Sequence, residues 1–265
     1  MPELPEVETV ARGLRQVIVG RTFTGVTVGW PRTIARPAVD EFLRRIVGRR
    51  VQAVGRRGKY VRFTLDQGYL LIHLKMSGRL LMVAADEVPD KHVHTIFDLD
   101  TGQQLWFRDV RKFGRVYLVD HTEEVTGSLG PEPLSDDFTL AEFRERLSRR
   151  SGRLKSLLLN QEFLAGLGNI YADEALFAAG LYPLRKADTL SQDEEERLYR
   201  AIRQVLRDAI AGRGTTLDDG GYRDAAGEPG AFQEQIFVYG RGGEPCRHCQ
   251  TAIERMVIGG RSSHF

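Results

Sequence analysis

Tyr60-Val-Arg-Phe-Thr-Leu65 and Tyr69-Leu-Leu-Ile-His-Leu74 are two short runs of β-branched, aromatic and aliphatic residues parted by Asp66-Gln67-Gly68. Runs of this kind, bounded by turn formers, read as strands. The same texture recurs on both sides, at residues 22–28, 94–99 and 104–108, so the chain from Arg21 to about Val119 reads as an antiparallel sandwich. A helix interrupts it around residues 39–47. Ahead of it, Val7, Val10, Ala11, Leu14, Val17 and Ile18 recur at helical spacing, and Pro2 and Pro5 fall where a first helical turn has no internal N–H partners to lose. The predicted class is α+β, with the N-terminal helix laid against the sandwich.

Beyond Val119 the pattern changes. Ser128-Leu-Gly-Pro-Glu-Pro-Leu134 carries two prolines that favour an extended linker, with Ser135 or Asp136 placed to cap the helix after it. Residues 139–149, 153–160, 171–179 and 193–212 read as helices, the last amphipathic with Leu198, Ile202, Val205, Leu206 and Ile210 inward. Residues 251–265 read as a β-hairpin. The predicted domains are 1–130, 131–234 and 235–265. Within the second, residues 212–230 form a Gly- and Asp-rich stretch, long for a loop, which points to function or disorder.

At 265 residues and 42% hydrophobic content the chain supports two domains, or one with an appendage. No signal peptide or membrane-length apolar run is present, and a soluble cytoplasmic protein is expected. The net charge of +2 says little about partners. Its distribution says more: Arg44, Arg45, Arg49, Arg50, Arg56, Arg57, Lys59 and Arg62 crowd together, while Asp193-Glu194-Glu195-Glu196 gathers acid. Such a basic run is either a solvated face or an anion-binding one. Cys246 and Cys249, in C-x₂-C spacing, suggest a metal knuckle rather than a disulfide.

Removal of Met1 leaves Pro2 as a secondary amine at the terminus. A terminal amine titrates near roughly 7.7–8.0, far below lysine, so much more of it is unprotonated at neutral pH. Attack on an aldehyde-like carbon yields an iminium, an electron sink of the Schiff-base kind. Glu3 and Glu6, beside the positive end of the first helix, are either helix-favouring carboxylates or, for Glu3, an acid/base partner of that amine. Gly58 turns the backbone before Lys59, which is either a surface lysine or a site residue. Met76, in Lys75-Met76-Ser77-Gly78, and Phe113, between Lys112 and Gly114, are of types usually found in cores, yet their turn-like settings suit exposure to an anionic partner. Gly166-Leu167-Gly168-Asn169 aims free N–H groups at an anion, or is an ordinary turn with Asn169 as cap.

The opening Pro2-Glu-Leu-Pro-Glu-Val-Glu8, with the blocks around Lys59, Met76, Arg111, Asn169 and Arg261, resembles the bacterial formamidopyrimidine-DNA glycosylases (8-oxoguanine DNA glycosylase, MutM) over nearly the whole chain. The resemblance implies a base excision repair enzyme that flips an oxidised purine out of duplex DNA and attacks its sugar with Pro2, with no redox cofactor. It implies proton-transfer roles for Glu3, for Lys59 in β-elimination and for Arg261 in δ-elimination, with Glu174 orienting the terminus. It makes Met76, Arg111 and Phe113 the set that fills the void left by the flipped base. His92, Arg150, Lys155 and Asn169 become DNA contacts, Lys155 and Asn169 gripping a phosphate, and His94 is a phosphate contact or a strand residue. It also implies a helix-two-turn-helix domain, a loop near residues 212–230 that caps the flipped base, a monomer, and binding that weakens steeply with salt.

Cys246 and Cys249 match the first half of the family's zinc finger, whose second C-x₂-C follows the aromatic corresponding to Phe265. A structural zinc takes about four ligands. The expectation is that the intact protein continues past Phe265 and binds one zinc, with His248 and His264 as weaker substitutes. Two other readings are an endonuclease VIII-like enzyme for oxidised pyrimidines and a non-catalytic DNA-bending protein. Leu4, Val7 and the full void-filling set favour the purine enzyme, and Pro2 with Glu3, Lys59 and Glu174 favours catalysis.

Overall fold

The computed structural model describes residues 1–217 and 220–265. They form two compact units, Met1–Ser128 with Gly212–Ala231, and Leu129–Ala211 with Phe232–Phe265. The first unit contains α1 (Leu4–Ile18), β1 (Phe23–Val28), β2 (Ile34–Arg36), α2 (Val39–Ile46), β3 (Val51–Arg57), β4 (Tyr60–Leu65), β5 (Tyr69–His73), β6 (Gly78–Ala84), β7 (Val93–Leu99), β8 (Gln103–Asp109), β9 (Arg115–Val119) and the short α3 (Glu123–Thr126).

The strands make two sheets, in the orders β1-β7-β8-β6 and β2-β9-β5-β4-β3. β4 alternates, burying Val61, Phe63 and Leu65, whereas β5, inside its sheet, buries Leu70, Leu71 and Ile72 in succession. The α+β class holds, with one departure from the antiparallel expectation: β2 pairs with β9 in parallel. These two strands are far apart in sequence and joined by no hairpin, so nothing forces them antiparallel. α1 buries Val7, Val10, Ala11, Leu14 and Ile18 in the same core as Val54, Val61 and Phe63. Val17, expected with them, is 43% exposed, at the edge of that stripe in the last turn of α1.

The second unit holds α4 (Leu140–Ser148), α5 (Leu154–Leu159), α6 (Asn169–Ala179), α7 (Gln192–Ala211) and the hairpin β10 (Arg255–Ile258) and β11 (Arg261–His264). The cap of α4 is Thr139, whose hydroxyl accepts the N–H of Glu142 at 3.2 Å, and not Ser135 or Asp136. Arg203 of α7 explains the delay: it donates to the carbonyls of Pro133 and Ser135 at 2.7 and 2.9 Å, holding that segment out of the helix. α7 buries Leu198, Ile202 and Leu206 as its periodicity requires, while Val205 and Ile210, expected with them, are half-buried. Gly180, at φ +65°, ends α6 in the left-handed conformation that favours glycine. Among the described residues no helix is long and apolar enough to cross a membrane.

The α1 stripe makes a direct prediction. Leu14→Ala should cost about 2–5 kcal/mol through the cavity it opens, and Val17→Ala no more than about 0.5 kcal/mol. Urea unfolding midpoints measure both, and equal losses would refute the assigned face.

Candidate functional site

The start of the chain is held by reciprocal hydrogen bonds. Glu3 caps α1, its side chain accepting the backbone N–H of Glu6, while Glu6 Oε2 accepts the N–H of Glu3 at 2.7 Å. Glu6 Oε1 accepts a third N–H, from Thr215, at 2.8 Å. Both carboxylates are buried, as is Pro2. The two acids predicted beside the helix start therefore form a capping box, in which Glu6 also binds a segment two hundred residues away. That segment, 212–231, is folded onto the first unit. Gly212 and Ala231 close its base at 2.8 Å, Tyr222 and Ala225 join the core, and Arg213 pairs with Asp224. Arg79 of β6 donates to the carbonyls of Gly220 and Gly221. Asp218 and Asp219, part of the loop predicted to cap a flipped base, lie outside the described residues.

Lys59 sits in the two-residue turn between β3 and β4, where Arg57 pairs with Tyr60 and Gly58 takes φ +55°. It is buried at 5% exposure, so the surface reading fails. Facing Tyr60 across the sheet is His73, with ring centroids 4.6 Å apart. Burial, then Lys75 and Lys59, lower the pKa of His73 to about 3. Its Nδ1 accepts the N–H of Lys75 at 3.0 Å, which places the proton of the neutral ring on Nε2.

The blocks around Met76 and Arg111 are brought together by Asp109. Its carboxylate accepts from Ser77 Oγ at 2.5 Å, from the N–H of Arg111 at 3.2 Å and from the N–H of Gly114 at 2.7 Å. His94 Nε2 donates to the Asp109 carbonyl at 2.8 Å, so His94 is a buried strand residue that braces this loop. At Gly114 a Cβ would lie 2.3 Å from the Phe107 ring. On this clamp Arg111 and Phe113 are exposed and Met76 is half-buried, with the Arg111 guanidinium stacked 5.0 Å over the Phe113 ring. His92 is half-exposed, and its carbonyl accepts the N–H of Asp109 at 2.8 Å. The basic run is less free than its density suggests, since Arg45 pairs with Glu41 and Asp120, and Arg56 with Glu8.

In the second unit Gly168 is the cap of α6, one position earlier than the expected Asn169, which is instead the first residue of the helix. Asn169 Nδ2 donates to the Ser262 carbonyl at 2.8 Å, tying the helix start to the hairpin beside exposed Arg261, while its buried Oδ1 has no hydrogen-bond partner among the described residues. Lys155 is fully buried. Its ammonium donates to the Asn169 carbonyl at 2.9 Å and to Asp173 at 2.6 Å, so it holds the first turn of α6. Asp173 also accepts the backbone N–H of His264 at 3.0 Å. Glu174 accepts the N–H groups of Phe237, Val238 and Tyr239 at 2.8–2.9 Å. Burial pushes its carboxyl pKa up, against those three donors. Arg150 is exposed just after α4.

The formamidopyrimidine-DNA glycosylase N-terminal domain matches residues 1–116, the H2TH domain of the same enzymes residues 129–219, and the zinc finger found in FPG and IleRS residues 243–265. The chain belongs to the formamidopyrimidine-DNA glycosylase family. A relative so named from Herpetosiphon aurantiacus is 50% identical over 269 residues, covering 100% of this chain and 98% of that one. The crystal structure of the MutM (Fpg) protein from Thermus thermophilus superposes with a TM-score of 0.90 at 42% identity, covering 100% of this chain and 97% of the other. A Lactococcus lactis Fpg in complex with Fapy-dG-containing DNA superposes with a TM-score of 0.90 at 34% identity, covering 99% and 97%.

Within the family's finger, Cys246 is buried and Cys249 exposed. Hydrogen bonds from Thr251, then from Cys246, lower the Cys249 thiol pKa, which suits a thiolate ligand. The expected substitutes are engaged elsewhere: His248 packs on Phe177 and Phe237, and His264 bonds Asp173. Among the described residues no three His, Cys, Asp or Glu side chains are grouped to hold a metal. The two thiols thus fit half of a structural zinc's ligand set, and the described residues do not complete it. Asp109 and Asp173 were assigned no role from sequence; Asp109 stands as a lone acid between Arg108 and Arg111-Lys112, whereas Asp173, between Ala172 and Glu174, carries no such signal.

His73 predicts a pH effect. The unfolded chain takes up its proton below about pH 6.5 and the folded one only below about 3. Between those values the unfolded state binds more protons, so this histidine's contribution to stability is present above about 6.5 and lost as pH falls toward 3. His73→Gln should flatten the acid limb by up to about 1.4 kcal/mol per pH unit, read from urea unfolding at neutral and mildly acid pH. An unaltered pH dependence would contradict it.

Proposed function

We propose that the chain is a bifunctional DNA glycosylase and lyase that excises oxidised purines, 8-oxoguanine and formamidopyrimidines, from duplex DNA. The observation that carries the reading is the capped chain start, where Glu3 and Glu6 fix the residue next to Pro2. Loss of Met1 frees the Pro2 nitrogen. It attacks C1′ of the everted nucleotide as the base departs, and cleavage of the C1′–O4′ bond, with O4′ taking a proton, opens the sugar to an iminium that acidifies the adjacent C2′ hydrogen. β-Elimination then breaks the 3′ C–O bond and δ-elimination the 5′ one, with Lys59, Glu3 and Arg261 in proton-transfer roles.

Arg111, Phe113 and Met76 enter the helix void, and His92, Arg150 and Asn169 contact the backbone, so binding weakens steeply with salt. Lys155 acts through Asn169, whose carbonyl it holds. Glu174, assigned by resemblance to orienting the chain terminus, also anchors residues 237–239 where the chain leads into the finger. A structural zinc would take Cys246 and Cys249 as two thiolate ligands and stiffen the finger that presents Arg261.

Borohydride reduction during turnover tests the reading. A duplex containing 8-oxoguanine should become covalently attached to the protein, and an undamaged duplex should not. Lys59→Ala should slow strand scission by about 10²-fold or more while affinity for a reduced abasic analogue stays within about threefold. No adduct under binding conditions, or an adduct with oxidised pyrimidines alone, would overturn the proposal.

A further inference from the structure

The second unit carries a groove that the reaction does not use. It lies along α7 beside Ala178 of α6 with a volume of about 620 Å³, and Arg197, Arg200, Arg203 and Arg207 line it together with Tyr199 and Ala201. Through Ala178, Ala201 and Gln204 it continues into a second hollow of about 180 Å³, where Val205, Phe232 and Phe237 stand beside Gln235, Asp208 and Glu174. Asp208 is held by Gln204 at 2.7 Å and the Glu174 carboxylate by three backbone amides, so one end is cationic and the other offers apolar side chains among acids already engaged.

The four arginines are not equivalent. Arg203 belongs to the framework, donating to the carbonyls of Pro133 and Ser135. Arg197 spends its Nε on the Ala179 carbonyl at 3.3 Å. Arg200, itself exposed, meets only half-exposed Glu196 one turn back, a pair worth little and easily exchanged. Among the described residues Arg207 has no ion-pair or hydrogen-bond partner. Arg200 and Arg207 lie two turns apart on one face, about 10 Å along the axis. Complementing the helix dipole does not explain them, because the last turn of α7 contains no basic residue.

We propose that this groove docks a short acidic segment of a partner protein, one that carries an apolar or aromatic side chain beside its carboxylates. Guanidinium groups engage carboxylates in paired hydrogen bonds, and the apolar end accepts the neighbouring side chain. Arg197 to Arg207 spans about 15 Å, the length of four to five extended residues at about 3.3 Å each. Duplex DNA fits poorly. Asp193-Glu194-Glu195-Glu196 precedes the arginines and Asp208 follows them, so a continuous row of phosphates would meet carboxylates at both ends. The groove also lies at the Ala178 end of α6, about 13 Å along the helix from Asn169.

The probe is a fluorescein-labelled hexapeptide, Glu-Asp-Leu-Glu-Phe-Asp, titrated with the full chain at low salt and followed by anisotropy. Saturable binding is expected with a Kd on the order of 10–100 µM. Charge reversal at two exposed positions, Arg200→Glu with Arg207→Glu, should weaken it at least about tenfold while 8-oxoguanine excision stays within about twofold. A control peptide with lysines for its acids should not bind. No saturable binding, equal binding by the charge-reversed variant, or displacement of the peptide by an undamaged duplex would each overturn the proposal, the last by making the groove a nucleic-acid surface.

Discussion

The carboxylate of Glu6 is the tie on which the proposed chemistry depends. One oxygen accepts the N–H of Glu3 and the other the N–H of Thr215, at 2.7 and 2.8 Å, away from solvent. Hydrogen bonds to a charged acceptor are worth about 1.5–3 kcal/mol each, and leaving such donors buried and unmade costs a similar amount. A chain end ordinarily frays. Here it is fixed from two directions, by the helix it begins and by a segment far along the chain. Gly214 permits the close approach: its φ is +79°, and a Cβ there would lie 2.9 Å from Glu6 Oε1.

The same device recurs wherever an exposed functional group must be aimed. Asp109 gathers Ser77 and two loop amides so that Arg111 and Phe113 project outward. Asp173 takes Lys155 and the amide of His264, and Asn169 reaches the Ser262 carbonyl of that hairpin, beside Arg261. Glu174 collects three successive amides. In each case a buried acid recovers part of its desolvation by accepting several donors, although at Asp173 and Glu174 burial still holds the carboxyl pKa up. Removing one partner leaves the rest unsatisfied, which makes these clusters rigid. The groups proposed to meet DNA stand on that framework.

The local elements were legible because their signals are local. The runs at 60–65 and 69–73 are strands, α7 buries three of the five residues expected inward, and Gly58 before Lys59 makes the tight turn its φ requires. What sequence could not supply were partners chosen by the tertiary fold. Thr215 lies 209 residues from Glu6, and His264 lies 91 from Asp173. No periodicity encodes such pairings, which is why Asp109 and Asp173 passed without a role. The burial of Lys155 was invisible for the same reason, since a lysine is normally placed at the surface until its buried acid is known. The cap of α4 was misplaced because Arg203, more than sixty residues later, competes for the carbonyls ahead of it.

The central claim is that one particular nitrogen, at the processed front of the chain, becomes bonded to the sugar. Peptide mapping by mass spectrometry of the borohydride-reduced adduct tests it most directly. The sugar remnant should be carried by a peptide beginning at Pro2 and lacking Met1. Finding it on Lys59 or another lysine, or on a peptide that retains Met1, would contradict the claim.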